Sequence, residues 1–338
     1  MIKNENKELA EKHVLVTGGA GFIGSELVRQ LLNSGANVTV LDNFSSGKKN
    51  YLDGLNVKII NGDVCDEMCV LDAVKNQEIV FHLAALPFIP DCYINPKQFF
   101  HVNTTGTLNL IWAAIKSGSA ERFVHVSTSE VYGTAQYVPM DENHPLNPHS
   151  TYAVSKLAAD RVVFTLHKEQ DFPAVIIRPF NSYGPRITQP YIIPELMIQL
   201  LNSDTLQLGN VESSRDFTFV SDTSRGMVMA SVEKKAVGET INIGSGGDIT
   251  IKDLAYLIAE LLNKKDKIKI KLDESRLRPY DVTRLFCDPS KAKRILGWEP
   301  SIPIREGLKT TLDWVKNNPI EYKGPYREQP KVREQKNP

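Results

Sequence analysis

The sequence predicts an α/β chain built on a doubly wound parallel sheet, followed by a smaller mixed α/β domain. Three observations carry this expectation. Short β-branched runs alternate with helix-length amphipathic segments from His13 to about Pro179, a glycine-rich turn follows the first run, and the texture shifts to prolines and short strands after residue 180. Strands separated by helices return in parallel, and near-continuous apolar runs mark strands covered on both faces.

In chain order, the strands are read at HVLVTG, NVTVLD, VKIING, EIVFHLA, RFVHVST and AVIIRP, with helices over 21–34, 66–76, 95–117 and 150–170. Beyond Pro179, prolines at 185, 190 and 194 break the pattern. There TLQLG, TINIG and IKIKL read as short strands, and 221–233, 251–263 and 304–317 as helices, all assigned to the smaller domain. The expected boundaries are 12–180 for the first domain, 181–320 for the second with some interleaving, and 321–338 for a frayed polar tail.

Within VLVTGGAGFIG, each of three glycines has a task. Gly18 makes the tight turn, Gly21 lets the backbone approach a pyrophosphate, and Gly24 lets the helix pack closely on the sheet. The next strand ends at Asp42, where a carboxylate can accept a hydrogen bond from an adenosine ribose. That charge would repel a 2′-phosphate. The expected cofactor is therefore NAD rather than NADP, on a Rossmann-type first domain.

Composition narrows the partners. Of 338 residues, 41% are hydrophobic, and 40 basic residues balance 40 acidic ones, so no net charge favours nucleic acid or an anionic membrane. The opening MIKNENKELAEK has no apolar signal-type core, and no stretch reaches the roughly 18 apolar residues of a spanning helix. A soluble, cytoplasmic protein is expected. Cys65 and Cys69 lack nearby partners for a tetrahedral metal site, so these cysteines, with Cys92 and Cys287, read as reduced and structural, and no metal is expected.

Tyr152 and Lys156 lie one helical turn apart and share a face. On its own the pair is a common helix-surface pattern. The strand RFVHVSTSEVYG changes its weight, because the C-terminal ends of such strands open into the ligand crevice of a doubly wound sheet. Tyrosine, with an ordinary pKa of about 10, is a poor base near neutrality, but an adjacent ammonium and a positive nicotinamide ring both favour its phenolate.

Together these motifs resemble the extended short-chain dehydrogenases/reductases, in the branch that modifies nucleotide-linked sugars. The resemblance runs from about residue 12 to 318. It makes Gly18, Gly21, Phe22 and Ile23 the cofactor turn, and Asp42, Asn43 and Ser46 of DNFSSGK the ribose loop. Asp63 and Val64 of NGDV would flank adenine, and Leu83, Ala84 and Ala85 would line the cofactor. Ser127 matches a nicotinamide-side contact, and Thr128 the hydroxyl that works with Tyr152 and Lys156. Asn181, Arg215 and Arg278 match residues that hold the sugar diphosphate, a task suited to the arginine fork.

The shared first step implied by the resemblance is oxidation at the sugar's C4, with Tyr152 taking the hydroxyl proton while hydride passes to NAD. Glu130 then separates the outcomes. Epimerases of the family carry small residues there. In 4,6-dehydratases an Asp-Glu pair occupies this place, the Glu removing H5 and the Asp protonating the leaving C6 hydroxyl, whereas this chain has Ser129 before Glu130. A Ser-Glu pair also matches UDP-glucuronate decarboxylases. The form of STYAVSKLAADR, with EVYGTAQYVPMDENHPLNP and ALPFIPDCYINP, is most similar to dehydratases acting on UDP-N-acetylglucosamine. The expected activity is thus a nucleotide-sugar 4,6-dehydratase acting on a UDP- or dTDP-hexose. Alternatives are a decarboxylase, a 4-epimerase in which Glu130 merely caps a turn, and a non-catalytic NAD sensor or scaffold. Apolar residues in excess on 95–117 and 150–170 match helices that pair across a two-fold axis in the family, implying a homodimer.

Overall fold

The computed structural model describes residues 7–278 and 280–318; the expected tail over 321–338 lies outside the described residues. The chain begins with β1 (His13–Thr17), α1 (Phe22–Asn33), β2 (Asn37–Asp42), β3 (Lys58–Asn61), α2 (Glu67–Ala73) and β4 (Ile79–His82). Next come α3 (Ile89–Cys92), α4 (Pro96–Phe100), a π-helical turn over His101–Thr105 and α5 (Gly106–Ser117). Then follow β5 (Arg122–Val126), α6 (Thr151–Gln170), β6 (Ala174–Pro179) and β7 (Asn181–Tyr183). The remainder holds α7 (Ile192–Asn202), β8 (Thr205–Leu208), β9 (Ser214–Arg215), β10 (Phe217–Phe219) and α8 (Val220–Val232). It closes with β11 (Thr240–Ile243), β12 (Ile249–Thr250), α9 (Ile251–Leu261), β13 (Lys269–Leu272), α10 (Ser290–Leu296) and α11 (Ile304–Asn317).

Seven parallel strands form the main sheet in the order β11-β6-β5-β4-β1-β2-β3. The order reverses at β1 and β4, so the crevice beyond their C-terminal ends is the place where such a sheet receives a ligand. Its two faces bury separate apolar clusters, one including Val14, Val16, Leu27 and Leu31, the other Leu15, Val80, Leu110 and Phe123. A third cluster, around Leu196, Leu206, Leu254 and Leu312, is the core of the smaller part.

Four expectations need correction. Thr240–Ile243, read as a strand of the smaller domain, instead pairs with Ile176–Pro179 as the seventh strand of the main sheet. The helix expected at 221–233 packs there too, because Met227, Val228 and Ala230 complete the core that holds Leu27 and Leu31 of α1. The segment 95–117 is not one regular helix, since the π turn widens its backbone at Asn103. That side chain accepts from Leu86 N (2.8 Å) and donates to Ser155 Oγ (3.0 Å), tying the loop after β4 to α6. Finally, β3 is largely solvent-facing rather than doubly buried, as befits the sheet's edge.

Among the described residues no helix is long and apolar enough to cross a membrane. The C-terminal segment is pinned to the main sheet by Trp298, which is fully buried and donates from Nε1 to the Asp222 carbonyl at 2.9 Å. Trp298→Ala should therefore lower unfolding free energy by about 3–5 kcal/mol, from lost burial and the cavity left behind. Urea denaturation measures this, and a loss under about 1 kcal/mol would show that the pocket collapses around the gap.

Candidate active site

The glycine turn is fixed by steric contact. Gly18 has φ +70°, and a Cβ there would lie 2.8 Å from Ala84 N; a Cβ on Gly24 would lie 2.1 Å from Gly18 O. Only bare backbone allows α1 to start this close to β1. The N-cap of α1 is Gly21, which has no capping side chain, so the first N–H groups of the helix remain open to an anion. Across the turn, Asp42 Oδ2 accepts from Ala20 N at 2.9 Å and Oδ1 from Phe44 N at 2.8 Å. Burial pushes this carboxyl above its usual range and the two backbone donors oppose the shift. Asn43 Nδ2 donates to Asp63 Oδ2 at 2.9 Å, joining the two loops expected to hold ribose and adenine.

All the sequence-derived candidates meet in one cavity of about 430 Å³, within the range of small-molecule sites. Gly18, Gly21, Phe22, Ile23, Asp42, Asn43, Ser46, Asp63, Val64, Leu83, Ala84 and Ala85, the residues expected to hold the cofactor, line it. So do Ser127, Thr128, Glu130, Tyr152 and Lys156, and also Asn181, Arg215 and Arg278. The bare glycine cradle at a helix N-terminus, with a fixed carboxylate at the end of β2, fits the two phosphates and ribose of a dinucleotide.

At the end of β5 the chain turns through a short 3₁₀ segment, Ser129–Tyr132. Thr128 caps it, its Oγ1 accepting from Glu130 N at 3.2 Å, and its hydroxyl also hydrogen-bonds the Tyr152 phenol. Ser150 caps α6 in the same way, accepting from Ala153 N at 3.1 Å and fixing the turn that carries Tyr152. Lys156 Nζ donates to the Val126 carbonyl at 2.7 Å. Burial pushes the Tyr152 phenol well above its ordinary value, against the hydrogen bond from Thr128. Burial also pushes the Lys156 ammonium down to about 8, while the Asp160 carboxylate pulls it back up.

Glu130 is not the cap of its own turn. The capping hydroxyl is that of Thr128, and among the described residues none gives the Glu130 carboxylate a hydrogen bond or ion pair. It lines the cavity, and its charge acts on Tyr152 and Arg215.

On the remaining side, Asn181 donates from both its backbone N (3.0 Å) and its Nδ2 (3.3 Å) to the Asp216 carbonyl. Arg215 donates from Nη1 to Ser214 O at 2.9 Å and lies 3.5 Å from Asp281, which is also 3.6 Å from Arg278. Asp281, absent from the expected set, thus stands between two arginines; its spacing of three from Arg278 was the available signal. Tyr191 lines the cavity as well, with its ring 6.1 Å from that of Phe88, and no motif marks it in the sequence.

The sequence model of the family described as GDP-mannose 4,6 dehydratase matches residues 15–311. The chain belongs to that family. It is 32% identical to UDP-glucuronic acid decarboxylase 1 of Xenopus tropicalis over 91% of this chain and 73% of the relative. An epimerase from Methanothermobacter thermautotrophicus superposes with a TM-score of 0.87 at 34% identity, covering 94% of this chain and 96% of the other. A dTDP-glucose 4,6-dehydratase from Streptomyces venezuelae, solved with NAD bound, gives 0.84 at 31% identity, covering 90% and 97%. Members of this extended short-chain dehydrogenase/reductase family are NAD-dependent enzymes that dehydrate, epimerise or decarboxylate nucleotide sugars.

Because a Cβ at Gly24 would meet the Gly18 carbonyl, Gly24→Ala must displace the glycine turn. NAD affinity measured by calorimetry should fall at least about tenfold, or about 1.4 kcal/mol. Unchanged affinity would remove this turn from the cofactor site.

Proposed function

We propose that the protein is an NAD-dependent nucleotide-sugar 4,6-dehydratase that works through a 4-keto sugar, with a UDP- or dTDP-hexose such as UDP-N-acetylglucosamine as substrate. The observation that carries this reading is the Glu130 carboxylate, unpartnered among the described residues, which lines the cavity that also holds Tyr152. Simple epimerisation needs no base at C5; elimination does.

Gly18, Gly21, Asp42 and Lys156 hold the cofactor in this reading, and bound NAD supplies a hydride acceptor at C4 and, after elimination, a donor at C6. Tyr152 takes the C4 hydroxyl proton, with Thr128 bridging the two oxygens and the Lys156 ammonium favouring the phenolate. A ketone at C4 acidifies H5, which Glu130 removes. The C6 hydroxyl leaves as water, protonated by the glutamic acid so formed, directly or through a water held at Ser129, which lines the cavity beside it. C5 then regains a proton as C6 takes the hydride, and that proton balances the one Tyr152 removed. Arg215, Arg278 and Asn181 hold the diphosphate.

A second reading, decarboxylation of a UDP-hexuronate, draws support from the Ser129–Glu130 pair and from Arg215, on which the Glu130 charge acts. Incubation with UDP-N-acetylglucosamine, UDP-glucose, dTDP-glucose and UDP-glucuronate separates the outcomes by product mass. Loss of water supports dehydration, loss of carbon dioxide decarboxylation, and an unchanged mass with altered stereochemistry epimerisation. No turnover of any of them would favour an NAD-binding scaffold. The free thiols of Cys65, Cys69, Cys92 and Cys287 suit a reducing compartment, and the proposal includes a cytoplasmic location.

The proposal extends to a homodimer. Leu108 and Trp112 of α5 and Val154 and Phe164 of α6 leave large apolar side chains exposed on adjacent helices, a surface suited to a second copy. Sedimentation should give about twice the 37.8 kDa chain mass at micromolar concentration. A monomer mass there would refute it.

Two substitutions test the division of labour. Tyr152→Phe should abolish every step, including transient formation of bound NADH. Glu130→Gln keeps size and hydrogen bonding, so bound NADH should still form while elimination slows by about 10² to 10⁴. Absorbance of enzyme-bound NADH after rapid mixing reads both, and wild-type turnover by the glutamine variant would make the carboxylate structural.

A further inference from the structure

One turn beyond Lys156 on α6, Asp160 is fully buried among charged groups. Arg178 of β6 donates from Nε to Asp160 Oδ2 at 3.0 Å, and His125 of β5 places Nε2 3.3 Å from Oδ1. Arg178 also donates from Nη1 to Tyr132 Oη at 3.0 Å, and Tyr132 in turn donates to Asn242 Oδ1 of β11 at 2.7 Å. An apolar core would be cheaper here, since every buried ion loses its hydration. The anion has two cationic neighbours to serve, Arg178 by direct contact and Lys156 by position on the same helix face.

The charge balance has a sign. Lys156 and Arg178 are positive and Asp160 negative. His125 is neutral, because burial holds its imidazole down to about 4, and burial keeps His82 of β4 neutral as well. Tyr152 of α6 and Glu130, on the 3₁₀ segment packed against α6, complete the titratable groups around the pair. Lys156, Arg178 and Asp160 together carry one positive charge in excess, set against the Glu130 carboxylate beside a tyrosine that burial makes hard to ionise.

We propose that Asp160 is a positioning residue for the Tyr152–Lys156 pair: its carboxylate, locked by Arg178, keeps the buried Lys156 side chain an ammonium. This rests on reading Lys156 as the partner of Tyr152, and not on which reaction follows. A purely architectural Asp160, joining α6 to β5 and β6, would leave the protonation of Lys156 untouched.

The test is a pH titration of the full-length, cofactor-free protein carrying ε-¹³C lysine, with Lys156→Met identifying the Lys156 resonance by its loss. The wild-type midpoint should lie near 8, the value burial gives this ammonium. In Asp160→Asn it should fall by about one pH unit or more, and Asp160→Glu should restore it. In single-turnover mixing, formation of bound NADH by Asp160→Asn should then be lost at pH 8 about fivefold more than at pH 6 for a one-unit shift. Arg178→Gln, which removes the competing cation, should raise the midpoint and decides the matter if Asp160→Asn does not fold. An unchanged midpoint in the folded variant overturns the proposal. Bound NADH formed by Tyr152→Phe overturns instead the reading on which it rests.

Discussion

A hydrogen bond from Lys156 Nζ to the Val126 carbonyl at 2.7 Å joins the helix that carries Tyr152 to the end of β5, where Ser127, Thr128 and Glu130 follow. Everything at the centre of the site depends on that register. Val126 is the last residue of β5, so the next side chains emerge where the sheet opens. The lysine can make this bond only if buried, and burial is what unsettles its charge. The structure answers with a second buried ion, Asp160, and a third, Arg178, to neutralise the second. A requirement for one anchored ammonium thus extends through three elements of the core.

The same economy links the smaller part of the chain to the main sheet. Asp216 follows Arg215, and its carbonyl accepts both hydrogen bonds from Asn181. Its carboxylate accepts from Ser245 N (2.7 Å), Gly246 N (3.0 Å) and Cys287 N (3.2 Å). Ser245 and Gly246 lie just beyond β11, the seventh strand of the main sheet. Burial pushes this carboxyl up to about 6 against those donors, so the ionised form that makes the bonds is held at neutral pH and weakened below about pH 6. The groups expected to grip a diphosphate are therefore set directly against the sheet that holds the cofactor turn.

What the sequence made legible was local. The three glycines, Asp42, and the Tyr152–Lys156 spacing each encode their geometry within one turn or one strand end, and all of them line the one cavity. Strand and helix positions in the first half were readable because periodicity is a local signal. The membership of β11 in the main sheet and the packing of α8 on it were not, because a short strand carries no mark of its partner and the chain returns only after crossing the smaller part. Asp281, Tyr191 and Asp160 escaped for a related reason. Each acquires its meaning from neighbours far away in sequence, Asp281 from Arg215, Asp160 from Arg178, and Tyr191 from Phe88.

Glu130 is the residue whose presence needs most explanation, because its charge works against the first step of the proposed reaction. It raises the Tyr152 phenol further, on top of burial, and so opposes the ionisation that proton removal at C4 requires. Nothing in the fold compensates by using the carboxylate elsewhere: Thr128 caps the turn, and Glu130 has no hydrogen-bonding partner among the described residues. A neutral side chain of similar size would line the cavity equally well and leave the tyrosine easier to ionise. A carboxylate that hinders one step and supports no structure is best understood through a later one. In the proposed dehydration, once the C4 ketone exists, the phenol would carry the proton it has taken, and the nearby negative charge would become an asset, available to take a proton from the adjacent carbon.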